Sequence, residues 1–164
     1  MATPPDDETL LLDLNQAFYR AFAGRDAEQM ATIWAKAAPV CCIHPGWPPL
    51  FGRDAVLEGW RRILQNPAQP PLEMLAPRVT LWGDVALVTC FERVEGQYLI
   101  ASNLFVREGK GWKLSHHQAG PVATPPPGGA SNDETDPDLD DLDDMDDDDE
   151  DDDDDLPPGS GTIH

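Results

Sequence analysis

After Pro70-Pro71 the hydrophobic period changes from helical to two, and it stays two up to residue 120. The alternating runs are 72–82, 85–95, 97–108 and 112–120. Their joints are Gly83-Asp84, Glu95-Gly96 and Gly109-Lys110-Gly111. Connections of two or three residues force neighbouring strands to be antiparallel, so these runs predict a four-stranded meander. Pro77 cannot donate to a ladder, which predicts a bend or an edge in the first long strand. Long strands with one interruption suit a strongly curved sheet.

The residues before the meander read as helices. Pro4-Pro5 is followed by Asp6, which predicts a capped start. Leu10, Leu14, Ala17, Phe18, Ala21 and Phe22 then fall on one helical face, and Gly24 is a natural stop. Asp26 predicts the cap of a second helix that carries Met30, Ile33 and Trp34 inward. Pro39 opens a short strand, Val40 to His44. Pro45–Gly52 is a rigid elbow. Asp54 is expected to cap a third helix with Val56, Leu57, Trp60, Ile63 and Leu64 on one stripe, ending at Asn66-Pro67.

Strand parity selects the candidate site residues. Val40, Cys42 and His44 share one strand face. His44 closes that strand beside the elbow, and an imidazole near its ordinary pKa of ~6.5 can act as acid or base. In the last strand Trp112, Leu114, His116 and Gln118 alternate with Lys113, Ser115, His117 and Ala119. The larger apolar groups belong to the first set, which is therefore expected inside. His44 and His116 are the candidate catalytic residues. Trp47, Gln118, Cys42 and Trp60 are the expected pocket residues, with Cys42 and Trp60 leaning towards core. His117 is expected outside, as an interface residue, and Glu92 and Glu58 are read as solvated. Adjacent histidines point to opposite strand faces, so no metal site is expected from His44, His116 and His117. Nothing in the sequence demands a cofactor.

The chain has 31 acids and 11 Lys plus Arg, a net charge of -20. The segment 133–155 holds 18 of those acids and no Lys or Arg, so the remainder is close to neutral. A near-neutral body has no basic stripe to neutralise phosphates, which argues against nucleic-acid binding by the folded part. The expected organisation is a domain over 1–122, then a disordered Pro/Gly linker and acidic, Asp-rich tail over 123–164. Three cysteines, two of them adjacent, are no disulfide framework, and reduced thiols fit a cytoplasmic protein. The first residues lack a basic region and a long apolar run, so no secretory signal is expected. No stretch reaches the ~20 apolar residues of a membrane span.

The element order, with His44-Pro45-Gly46-Trp47, Gly52-Arg53-Asp54, Trp60 and His116-His117-Gln118-Ala119-Gly120-Pro121, resembles the SnoaL-like branch of the nuclear transport factor 2-like superfamily. The resemblance covers roughly residues 6–122. It implies an α+β cone, in which three N-terminal helices pack on a strongly curved antiparallel sheet around a pocket. It also implies a homodimer formed through the sheet. Members include isomerases, dehydratases and cyclases, which implies a small-molecule pocket for a small apolar or carbonyl-bearing substrate. Members also include non-catalytic binding and assembly domains. The alternative expectation is therefore a dimerisation or ligand-binding module whose acidic tail recruits a basic partner.

Overall fold

The computed structural model describes residues 6–128. The acidic tail, expected to be disordered and to recruit a basic partner, lies outside the described residues. Helix α1 (Asp7–Ala23) starts under Asp6, whose carboxylate accepts from the Thr9 amide at 2.8 Å, and stops at Gly24. Its buried stripe is Leu11, Asn15, Phe18, Tyr19 and Phe22, with Leu10, Leu14 and Ala17 only partly buried beside it. Helix α2 (Ala27–Ile33) starts under Asp26, which accepts from Gln29 N at 2.9 Å. Met30, Ile33 and Trp34 face inward as expected.

Helix α3 (Arg53–Gln65) corrects one expectation. Its cap is Gly52, at a left-handed φ of 85° and without a side-chain cap bond, and Asp54 lies in the first turn instead. There its charge still complements the helix dipole. Arg53 makes the local connection. Its Nη1 donates to Trp34 O at 2.8 Å and Ala35 O at 2.9 Å, and its Nη2 to Ala31 O at 2.7 Å. Carbonyls left open at the end of α2 are thereby satisfied by the start of α3.

The strands are β1 (Cys41–Ile43), β2 (Leu50–Phe51), β3 (Leu72–Trp82), β4 (Val85–Val94), β5 (Gln97–Glu108) and β6 (Gly111–Pro121). They form one sheet in the order β2-β1-β6-β5-β4-β3. The meander is antiparallel throughout, as its tight turns require. Strand β1 runs parallel to β6, so the sheet is mixed at that one seam. The elbow also folds back, pairing Phe51 with Cys41 as β2. Short period-two signals of this length are invisible beside Pro48-Pro49.

Two irregularities curve the sheet. Strand β3 slips register between Leu75 and Arg78, where Ala76 takes φ 49° just before Pro77. The β5–β6 pair slips between Leu104 and Phe105: Leu104 faces His116, but Phe105 faces Leu114. Ser115 is the extra residue, and a one-residue bulge inverts the parity of everything after it. The concave face and the helices enclose a core that includes Phe18, Met30, Trp34, Val56, Val88, Phe105 and Leu114. This is the expected α+β cone of three helices on a curved sheet. Among the described residues no helix is long and apolar enough to cross a membrane.

Candidate functional site

A cavity of about 490 Å³ opens at one end of the cone. Helix α1 contributes Phe18, Tyr19 and Phe22, and helix α3 contributes Trp60 and Ile63. The elbow contributes His44, Pro45 and Trp47, and the sheet contributes Glu92, Leu99, His117 and Ala119. Its floor is polar inside an apolar wall.

His117, not His116, faces this cavity. It is 3% exposed, while Gln118 beside it is exposed and neither His116 nor Gln118 lines the cavity. The bulge at Ser115 is the reason. Trp112 and Leu114 point inward as parity predicts, and then the count shifts by one. His116 is left on the other face, with Nδ1 3.1 Å from Cys41 O. The expectation of an inward His116 and Gln118, and of an outward His117, is therefore corrected.

Glu92 is the second correction. It is 3% exposed rather than solvated. Strand β4 alternates Ala86, Val88, Cys90 and Glu92 inward, so the acid sits two residues beyond a buried thiol. Tyr19 Oη donates to Glu92 Oε1 at 2.7 Å, and Cys90 Sγ lies 3.2 Å from the same hydroxyl. No cation pairs with Glu92 among the described residues. Burial raises its pKa above the usual carboxylate value, and the Tyr19 hydrogen bond opposes that rise. Burial likewise pushes the Cys90 thiol up to about 11, so it is no thiolate at neutral pH.

A second network fixes His117. Asn103 Nδ2 donates to Asn15 Oδ1 at 2.7 Å, which leaves Asn103 Oδ1 as an acceptor. That oxygen lies 2.6 Å from His117 Nδ1, so His117 donates there and presents an unprotonated Nε2. Burial, then the neighbouring His44 and His116, bring the His117 pKa down to about 3. The ring also packs 5.0 Å from Phe18.

His44 is at the site as expected, 4% exposed, with its ring 6.4 Å from that of His117. Burial lowers its pKa to about 4. Its ring stands edge-on to Trp60 at 4.6 Å and Trp47 at 5.1 Å. Trp47 is 37% exposed at the rim, whereas Trp60 is both core and cavity wall. Cys42 is fully buried behind His44, with Sγ 3.6 Å from Nε2, and does not line the cavity. The Cys42 thiol is raised by its burial, which makes it packing rather than a nucleophile. Glu58 is on the surface, bridging Arg61 and Arg62. Among the described residues no three metal-ligating side chains converge.

Gly59 sets how closely the elbow approaches α3. A Cβ there would lie 2.6 Å from Leu50 Cδ1, 3.5 Å from His44 Nε2 and 3.8 Å from Trp47 Cζ3. Gly59→Ala is expected to cost about 1–3 kcal/mol in urea denaturation through overpacking. Combining it with Leu50→Ala makes room, so the double variant should be no less stable than Leu50→Ala alone. Additive losses would show that Leu50 is not the obstacle.

Sequence reasoning missed Tyr19, Asn15, Asn103 and the inward Glu92. The signal for Asn15 was a polar residue on the apolar stripe between Leu11 and Phe18. The signal for Glu92 was its inward parity.

The fold has counterparts in known proteins. A family model described as a SnoaL-like domain matches residues 11–124. A structure provisionally assigned as a dehydratase of the NTF2-like family from Streptomyces avermitilis is 34% identical, with a TM-score of 0.66. The match covers 74% of this chain and 100% of that one. A protein from Thiobacillus denitrificans, provisionally assigned as a calcium/calmodulin-dependent protein kinase type II association domain, is 30% identical. Its TM-score is 0.58, over 74% of this chain and 99% of that one. The F-box protein SKIP8 of Arabidopsis thaliana is 22% identical over 111 residues, 66% of this chain and 48% of that protein. The chain thus spans about half the length of that curated relative. With the cone, the cavity and a match over most of its length, this chain belongs to the SnoaL-like family of NTF2-like proteins.

Proposed function

We propose that the domain is an acid–base enzyme that dehydrates a small β-hydroxy carbonyl compound. One observation carries the reading: a carboxyl, Glu92, buried in the cavity with a raised pKa and, among the described residues, no cation beside it. A buried carboxyl whose pKa is raised is a stronger base than an exposed one and is a candidate for proton transfer. The Glu92 carboxylate takes the proton α to the carbonyl. The C–H electron pair becomes the new double bond, the C–O bond at the β carbon breaks, and Glu92 returns the proton to the departing hydroxyl, giving water. Tyr19 holds one carboxyl oxygen and steadies its ionised form. His117 Nε2 accepts the substrate hydroxyl proton as a hydrogen bond and orients the leaving group. The 34% identical Streptomyces protein, provisionally assigned as a dehydratase, supports this choice of outcome.

The test is a panel of cyclic and aryl β-hydroxy ketones followed by NMR in deuterated buffer. Loss of water from at least one of them, depending on Glu92, is the expected result. Deuterium entering at the α carbon without elimination would make the enzyme an isomerase that shares the first step. No exchange with any of them would end the proposal.

A second reading, assembly into dimers, is favoured by the outer face of the sheet. There Trp82, Val85 and Val106 form one cross-strand row and Phe91 and Ile100 another, with Trp82 58% and Ile100 38% exposed. Leu104 lies among them on β5 and pairs with Leu87. Leu104→Lys is expected to convert a dimer to a monomer in light scattering, and a wild-type monomer would refute this reading.

A further inference from the structure

One buried amide touches both hydrogen-bond networks of the site. Asn103 lies on β5, directly across from His117 on β6, and is fully buried. It does not line the cavity. Its Oδ1 takes the His117 Nδ1 proton at 2.6 Å. Its Nδ2 has two protons to give. One goes to Asn15 Oδ1 at 2.7 Å, and Tyr19 Oη stands 3.4 Å from the same nitrogen to receive the other. The network that holds His117 and the pair formed by Tyr19 and Glu92 therefore meet at a single side chain.

The chemistry of that junction is restrictive. Towards His117 the residue must accept, because a proton kept on Nδ1 is what leaves Nε2 bare. Towards Tyr19 it must donate. A phenol has one proton, and an acceptor at this place would compete for it with Glu92 Oε1, which receives it at 2.7 Å. Aspartate only accepts, and a hydroxyl has one proton for two neighbours. Leucine, of similar volume, does neither. Glutamine adds a methylene to a packed position. Among side chains of this length the primary amide meets both demands. The bulge at Ser115 belongs to the same arrangement, since it sets His117 rather than His116 opposite Asn103.

Resting on the acid–base reading, we infer that Asn103 is the positioning residue that joins the two halves of the site. It fixes one proton on His117 Nδ1 and directs a second, that of Tyr19, to Glu92. The base and the group that orients the leaving hydroxyl are thereby set together, by a residue out of reach of the substrate.

The test is NMR of the full chain at neutral pH, with labelled imidazole nitrogens and glutamate carboxyl carbons. In the wild type, His117 should carry its proton on Nδ1, with Nε2 bare. Asn103→Asp keeps the size and removes both donors. The charges otherwise acting on His117 are those of His44 and His116, which can only be positive. The new carboxylate should therefore draw a second proton onto the ring, so that Nε2 takes on a protonated signature. Tyr19 should turn towards the new acceptor, so that the Glu92 carboxyl resonance moves too. Dehydration should fall about 100-fold or more, as when an acid–base group is lost. A wild-type His117 protonated on Nε2 overturns the inference, with no variant needed. So does a folded Asn103→Asp in which either the His117 or the Glu92 resonances stay unmoved. Asn103→Ser, which can serve one partner but not both, is the second variant, and there too unmoved resonances at both residues overturn the inference. The spectra need no substrate. Failure of the dehydration panel therefore leaves the proton placement standing, and a misplaced proton leaves Glu92 as the base.

Discussion

Lowering the pH from about 7 to about 4 is expected to remove several kcal/mol of stability from the folded domain. Both cavity histidines are buried and uncharged, His44 with its pKa lowered to about 4 and His117 to about 3. The unfolded chain binds these protons at the ordinary histidine value near ~6.5, so acid pulls it towards the unfolded state. The stabilisation is complete above pH 6.5 and is lost as pH falls through the folded-state values. At about 1.4 kcal/mol per pH unit, the two groups together approach the ~5–15 kcal/mol that holds a typical domain. Glu92 works the other way, because its raised pKa favours the folded state as it becomes protonated. Its gain ends near the unfolded carboxylate range and does not cover the histidine loss. Asp6, Asp7 and Glu108, whose pKa values are lowered by hydrogen bonds, add to the acid sensitivity in the same direction as the histidines. Urea titrations at pH 7, 5.5 and 4.5 measure the slope, and His117→Gln should flatten it. Stability that stays constant over this range, or an unchanged slope in the variant, would mean the imidazoles are hydrated rather than buried neutral.

Exchanging one oxygen for nitrogen at position 92 is expected to slow dehydration about 100- to 10,000-fold, the usual contribution of a positioned acid or base. Glu92→Gln keeps the length of the side chain and an oxygen for Tyr19, so folding is retained. What disappears is the oxygen basic enough to take the α proton and pass it on. Tyr19→Phe tests the same pair from the other side. It removes the donor to Oε1, so the Glu92 pKa should rise and the pH–rate profile should move to higher pH. A rate that survives Glu92→Gln within about tenfold would shift the proton transfer to another group. An inactive Tyr19→Phe with an unmoved profile would make Tyr19 a binding residue instead.

Much of the fold was legible because local signals and global topology agree. Asp6, Gly24 and Asp26 mark their helix ends by the chemistry their positions require. The tight turns at Gly83-Asp84 and Glu95-Gly96 leave the meander no alternative to antiparallel pairing. The cap of α3 was misplaced because Asp54 is a good capping residue, whereas Gly52 acts through its backbone alone. His44, Trp47 and Trp60 were legible from their elbow and stripe positions. His117 was not, because parity counting assumes an unbroken ladder and the bulge at Ser115 breaks it. Glu92 was hidden differently. A carboxyl in an inward position reads as exposed unless its partner is known, and Tyr19 lies 73 residues away in sequence. Long-range hydrogen bonds of this kind leave no local pattern.

The bulge gives the His116-His117 pair a meaning beyond placement. Strand parity is fragile to insertion and deletion, since one residue more or less turns a side chain from the cavity to the surface. Here both positions that such a slip would exchange carry the same imidazole. Closing the bulge without removing a residue would set Ser115 against Leu104 and the first histidine against Asn103, so an imidazole would still face Asn103. The doubled histidine therefore acts as a spare tooth on the ratchet: the strand can miscount by one and still deliver the same chemistry.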